Sequence, residues 1–191
     1  MSGDVDCEGG LDENVDYDTF KKVYERIVSY TSGLLEKYKP QVIILVQRKG
    51  RRIFQDVFNY NEDLTKNVHI HLDTTFTDDD VYGKNVLILD DSMKQGKSVG
   101  EVISHFSKQL WPKTITVATI ITNQQVIESK KASWKEIEVE ALYTCPDYDA
   151  QKEHYWGKWM KSLVHGVSIK YGIGHVSTEI RFDPNVSIGT I

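Results

Sequence analysis

The amino-acid sequence predicts a doubly wound α/β domain, with a mainly parallel sheet and helices on both faces. Three observations carry this reading. Val42-Ile43-Ile44-Leu45-Val46 and Val86-Leu87-Ile88-Leu89 are continuous apolar runs, the pattern of strands covered on both sides. Segments with apolar residues at helical spacing separate the candidate strands, and helical crossovers between strands make neighbours parallel. At 191 residues, 40% hydrophobic and 27% charged, the chain is long enough for one well-buried core and short for two.

Residues 1–16 combine Gly, Ser and acids with few apolar side chains; such a segment buries too little surface to offset its ordering entropy and is expected to be a disordered tail. Residues 17–191 are expected to form a single domain. From Asp18 or Thr19, possible N-caps, apolar residues fall at Phe20, Val23, Tyr24, Ile27, Val28, Leu34, Leu35 and Tyr38, a helix closed by Pro40. The strand Val42 to Val46 follows and ends in a basic turn. Ile53, Phe54, Val57 and Phe58 mark a second helix from about Arg51 to Leu64, and Val68 to Leu72 a short strand. Asp73 to Asp80 reads as a polar loop. Asn85 to Leu89 is the next strand, followed by a helix marked by Val99, Val102, Ile103, Phe106 and Leu110. Thr114 to Thr122 is rich in β-branched residues, and Ile137 to Tyr143 alternates like a strand nearer an edge. Tyr155 to Val164 is a candidate short helix, and Val167 to Phe182 holds one or two candidate late strands.

Charge is unevenly spread. The net charge is -5, yet Met1 to Phe20 holds seven acids and no Lys or Arg, leaving 21 acids against 23 bases in the remainder. The net charge argues against general affinity for nucleic acid, while a mildly basic body suits a small phosphorylated ligand. The apolar runs of four or five residues are far short of the roughly 20 that cross a bilayer, so no membrane span is expected. The acidic start lacks the basic and apolar regions of a secretory signal, which predicts a cytoplasmic protein. Cys7 and Cys145 are too few and too separated for a disulfide framework or zinc site.

Chemistry concentrates in residues 86–98, where the strand Val86 to Leu89 runs into Asp90-Asp91-Ser92-Met93-Lys94-Gln95-Gly96-Lys97-Ser98 and a helix start. Ligands of open α/β sheets bind at the carboxyl ends of strands, and the amides of a loop entering a helix form an anion site. Two adjacent carboxylates there accept hydrogen bonds from sugar hydroxyls or hold Mg²⁺, directly or through water. A sugar phosphate satisfies both halves. Ser98-Val99-Gly100-Glu101 also has the pattern of a capping box, which would direct the Ser98 hydroxyl to the helix.

This segment resembles the phosphoribosyl pyrophosphate (PRPP) motif of type I phosphoribosyltransferases: four apolar residues, two acids, two small or apolar residues, then a Gly-containing loop. Lys94 and Gln95 stand where the family usually has a small or acidic residue and a Thr. The resemblance follows the element order from about Tyr17 to Tyr143. It implies that Asp90 and Asp91 hold the ribose hydroxyls of Mg²⁺-bound PRPP and are the catalytic and metal-facing acids. It also implies that the loop formed by Met93, Lys94, Gln95, Gly96, Lys97 and Ser98 cradles the 5′-phosphate. Arg48-Lys49-Gly50-Arg51-Arg52, after the first core strand, corresponds to the family's pyrophosphate loop, with Arg48, Lys49 and Gly50 on the diphosphate. Asp147 and Tyr148 fall where purine-specific members contact the base. The family's hood loop corresponds to Asp73 to Val81, which is short here. Family members are often homodimers.

Two functions remain open on this reading: transfer of phosphoribose to a nitrogenous base with release of pyrophosphate, or a non-catalytic module that senses PRPP or a nucleotide. Lys94, Gln95 and the short hood favour the second. Gly96-Lys97-Ser98 also ends like a nucleotide-binding P-loop, but Asp91 occupies the position of its first Gly. A receiver domain would need a downstream phosphoacceptor Asp that the sequence lacks. His69 and His71 share a strand face with no third ligand near in sequence, which argues against a metal site.

Overall fold

The computed structural model describes residues 17–46, 49–59 and 62–144. Expectations placed on the tail 1–16, on Arg48, and on everything from Cys145 onward, including Asp147, Tyr148 and the late helix and strands, lie outside those residues. Val42–Leu45 (β1), His69–Leu72 (β2), Asn85–Met93 (β3), Thr114–Thr122 (β4) and Ile137–Thr144 (β5) form one sheet in the order β2-β1-β3-β4-β5. Every pairing is parallel. The helices are Tyr17–Tyr38 (α1), Lys49–Asn59 (α2), Asp78–Val81 (α3), Lys97–Ser104 (α4) and Gln124–Ser133 (α5), with a 3₁₀ turn at Glu62–Thr65. No described helix is long and apolar enough to cross a membrane.

The all-apolar strands have no polar side chain to offer solvent, so both faces of the sheet are covered. Ile43, Leu45, Leu87, Leu89, Ala118 and Ile120 pack with Tyr24, Ile27, Leu34 and Leu35 of α1 and with Ile53, Phe54, Val57 and Phe58 of α2. The alternate residues Val42, Ile44, Val86, Ile88, Ile115 and Val117 pack with Val81, Val99, Val102 and Ile127 on the other side. The period of two along each strand assigns its side chains to these two cores. Each fully buried Leu or Ile contributes roughly 1.5–3 kcal/mol. At the edge, β2 is much less covered: His69 and Ile70 are exposed and His71 and Leu72 half-buried.

Five local expectations change. The second helix starts at Lys49 rather than Arg51 and stops at Asn59, so most of the basic turn is helix and 62–65 forms a separate 3₁₀ turn. The strand after Tyr82 continues four residues past Leu89, through both acids, because β4 supplies a partner as far as Met93. The polar segment before Val81 winds into α3, whose entry at Thr77 is a capping box closed by Asp80. The helix α5 was not expected, since Val126 and Ile127 are nearly its only apolar residues; its local signal is Asn123, which caps it by accepting from the Gln125 N–H at 2.7 Å. The fourth helix ends at Ser104, leaving Phe106 buried beyond it against Trp111.

The two-core arrangement predicts unequal sensitivity. Ile88→Ala, in the centre of the sheet, is expected to lower unfolding free energy by about 2–5 kcal/mol, whereas His69→Ala on the exposed edge should change it by about 0.5 kcal/mol or less. Urea unfolding of both variants measures this directly.

Candidate functional site

The site originates in a mismatch of strand lengths. The ladder between β1 and β3 ends at Leu45 opposite Leu89, followed by a Val46 N–H donated to the Leu89 carbonyl at 2.9 Å. Beyond that point β3 continues with β4 alone, pairing Asp90 with Thr119, Ser92 with Ile121 and Met93 with Thr122. The chain order reverses between β1 and β3, which makes their carboxyl ends the topological switch point where open α/β sheets take ligands.

The N-terminus of α2 fills the side of β3 that β1 has vacated. Gly50 packs its backbone directly on the acids: a Cβ there would lie 2.7 Å from the Asp91 amide nitrogen and 3.1 Å from Asp90 Cα. The Gly50 N–H donates to Asp91 Oδ1 at 3.2 Å, and Asp91 Oδ2 accepts from Ser92 Oγ at 3.1 Å. A carboxylate in this position satisfies a helix amide and complements the helix dipole. Lys49, Arg51 and Arg52, in the first turn of α2, are each half-buried, and this turn carries no acid of its own.

Successive side chains of a strand alternate, so Asp90 does not share the position of Asp91. Asp90 instead lines a cleft of about 200 Å³ together with Ser92 and the whole segment Met93 to Ser98. Asp90 is 5% exposed, and its Oδ1 accepts the Asp91 N–H at 2.8 Å. Burial pushes the Asp90 carboxyl well above the ordinary carboxylate range. The neighbouring Asp91 charge and a side-chain hydrogen bond with Asp91 push the same way, and Asp73 adds a smaller repulsion. Asp73, at the carboxyl end of β2, has a left-handed backbone (φ 47°) and donates its N–H to the Leu45 carbonyl at 3.0 Å. Sequence reasoning treated it as loop only; a polar residue ending a candidate strand was the available signal.

The other wall of the cleft is the turn into α4. Gly96 is the N-cap in the left-handed region (φ 69°), and no side chain caps this helix. The amides of its first turn are therefore available to an anion. Ser98 is not the cap that its capping-box pattern implied; it is the second residue of the helix, exposed beside Lys97. Gln95 is exposed and Lys94 half-buried, while Met93 is buried and contributes backbone and packing. A bond from Thr122 Oγ1 to the Met93 carbonyl ties the strand end to β4. Among the predicted site residues that are described, the structure thus gathers Asp90 with 93–98 in one cleft. It joins Asp91 to Gly50 next to it.

No protein-family model matches the chain, and no curated protein is similar to it in sequence. Solved structures are similar in backbone. The AQ2163 protein from Aquifex aeolicus matches with a TM-score of 0.53 at 11% identity, over 72% of this chain and 81% of that one. A purine phosphoribosyltransferase from Pyrococcus horikoshii matches with a TM-score of 0.48 at 21% identity, over 70% and 87%. A hypoxanthine phosphoribosyltransferase from Trypanosoma cruzi, solved with its product IMP, matches at 0.46 and 14%, over 67% and 78%. Likeness at these identities concerns the fold alone. The doubly wound α/β architecture expected from the sequence is the one observed.

Both glycines of the site are expected to resist substitution for different reasons. Gly50→Ala forces a methyl into the Asp91 backbone and should cost about 1–3 kcal/mol by overpacking. Gly96→Ala must hold a left-handed backbone and should cost about 1–2 kcal/mol. Denaturant unfolding of the two variants provides the check.

Proposed function

We propose that the protein binds Mg²⁺-bound PRPP at the carboxyl ends of β1 and β3 and transfers its phosphoribosyl group to a nitrogenous base. The observation that carries this reading is the single cleft joining the Asp90 carboxyl to the uncapped N-terminal turn of α4. It places an acceptor for sugar hydroxyls beside a nest of amides suited to a phosphate, the two halves of a sugar phosphate. The first turn of α2, with Lys49 and the Gly50 backbone next to Asp91, supplies cations for a diphosphate at the same carboxyl end of the sheet. Arg48, Asp147 and Tyr148 join this proposal through the resemblance in sequence.

Mg²⁺ fits this donor set as a companion of the ligand. Among the described residues no three His, Cys, Asp or Glu side chains form a metal-holding group, and Asp91 is already engaged by Gly50 and Ser92. Mg²⁺ is commonly held by substrate phosphates, water and one or two carboxylates, so Asp90 and Asp91 would meet it through ribose hydroxyls and water. The metal supplies charge neutralisation at the diphosphate. In the reaction the bond from C1 to the pyrophosphate oxygen breaks, and a bond from a base nitrogen to C1 forms. Pyrophosphate leaves with the electron pair, and the nitrogen's proton passes to solvent. Positioning and charge neutralisation supply the rate.

A regulatory module that binds the same ligand without transfer is the second reading, and Lys94 favours it. A Lys in this position lacks the carboxylate with which the family's acid acts on the base. Pyrophosphate release in the presence of Mg²⁺, PRPP and a panel of purine and pyrimidine bases separates the two: base-dependent release supports the transferase, and binding without release supports the module.

Asp90→Asn with Asp91→Asn keeps an acceptor for the Gly50 N–H while removing both charges. The double variant should remain folded and lose PRPP affinity by about 100-fold or more; unchanged affinity in a folded variant contradicts the site. Gln95→Ala should matter little. Because burial raises the Asp90 pKa, the proton stays on to higher pH in the folded protein than in the unfolded chain. Folding stability should therefore fall as pH rises above the unfolded carboxylate range, and the single variant Asp90→Asn should abolish that fall and melt higher at neutral pH. Affinity for Mg²⁺-bound PRPP should strengthen as pH rises, with proton release visible as a buffer-dependent heat of binding.

A further inference from the structure

We infer that Trp134 and Lys130, at the carboxyl-terminal end of α5, position the 94–98 turn and thereby set its affinity for the 5′-phosphate. The inference rests on the phosphoribosyl reading above. Neither residue lines the cleft, and neither belongs to the segment that resembles a known motif. Both press on that segment from behind. A Cβ at Gly96 would fall 2.8 Å from Lys130 Cε and 3.2 Å from Trp134 Cη2. One turn further along α4, a Cβ at Gly100 would fall 3.9 Å from Trp134 Cζ2. The rim of the indole therefore runs along the first turn of α4, against two positions without side chains.

The brace is itself held. The Trp134 N–H donates to the Lys130 carbonyl at 2.7 Å, and the Trp134 carbonyl accepts from Ile137 at the start of β5 at 2.9 Å. The Lys130 ammonium lies over the indole, 5.0 Å from the ring centre, a cation–π contact that fixes the two side chains relative to each other. Trp134 is half-buried and packs on the same core that holds Met93 and Val99. This large ring on an otherwise polar helix thus connects the sheet to the back of the phosphate turn.

A left-handed Gly N-cap leaves the chain freedom to move, because glycine populates many backbone conformations. Anion binding by first-turn amides requires those amides to be aimed before the ligand arrives; otherwise binding bears the ordering entropy. Trp134 and Lys130 restrict Gly96 without themselves lining the cleft. They are positioning residues, acting through Gly96 rather than on the phosphate.

The test uses the full-length protein and two probes: ribose 5-phosphate, which carries only the 5′-phosphate, and Mg²⁺-pyrophosphate, which addresses the turn at Lys49 and Gly50. By calorimetry, Trp134→Ala should weaken ribose 5-phosphate by about ten-fold, the scale of one lost ordering contribution, and leave Mg²⁺-pyrophosphate within about two-fold. Trp134→Phe should recover part of the loss. Amide hydrogen exchange without ligand should quicken at 94–98 in either variant. If Trp134→Ala does not fold, Trp134→Phe and Lys130→Ala carry the same comparison. Equal weakening of both probes indicates a general structural role and overturns the inference, as does unchanged ribose 5-phosphate affinity with unchanged exchange at 94–98. Wild-type protein that binds neither probe overturns the phosphoribosyl reading itself, and with it this role; binding of both probes with no effect at Trp134 overturns this role alone.

Discussion

The hydrogen bond from the Gly50 amide to the Asp91 carboxylate, closed over a backbone approach that excludes any side chain at residue 50, is the contact on which the site depends. It joins the start of α2 to β3 where β1 no longer runs beside it. A larger residue would hold α2 off the strand and separate the first turn of α2 from the cleft. Without the amide the buried Asp91 carboxyl would keep only the Ser92 hydroxyl as a partner, at a cost in stability. Because the two requirements coincide, the basic turn of α2 and the uncapped turn of α4 stand on neighbouring strand ends, and the parallel sheet fixes their separation.

Asp90 carries the opposite character. Where Asp91 accepts from a helix amide, burial as the leading cause and Asp91's charge as the second push the Asp90 carboxyl well above the ordinary carboxylate range. Two adjacent acids with the same chemistry thus acquire different tasks from the two faces of one strand. A buried carboxyl whose pKa is pushed up is an expense in stability at neutral pH. A cationic ligand or metal arriving with the phosphate would favour ionisation and recover part of that expense on binding.

Much of the fold was legible because the period of the sequence is strong at the centre of the sheet. The runs at Val42 and Val86 can be satisfied only by cover on both faces, and Thr114 to Thr122 proved to be a strand with those same ends. The elements that escaped were those stabilised by context. The helix α5 has a cap but almost no apolar stripe, so its register is set by Ile127 and by the packing of Trp134. The extension of β3 through Asp90 and Asp91 depends on a long β4, which hydrophobic periodicity does not register. In the site, the paired acids and Gly96 were readable from residue type and order. Their division between two faces waited on the strand's extension through them, and the closeness of Gly50 and the pressure of Lys130 and Trp134 on Gly96 were hidden because they join residues 34 to 41 positions apart.

The central claim is that the turns at the starts of α2 and α4 form one binding site for Mg²⁺-bound PRPP. The most direct measurement is a titration of the ¹⁵N-labelled protein with PRPP and Mg²⁺, following backbone amide resonances. The account predicts that the amides of Lys49 to Arg52 and of Lys94 to Ser98 shift together, saturating at one ligand concentration, while amides at the opposite end of the sheet, near Gly83 and Lys113, stay in place. Shifts in only one of the two turns, or none in either, would contradict it.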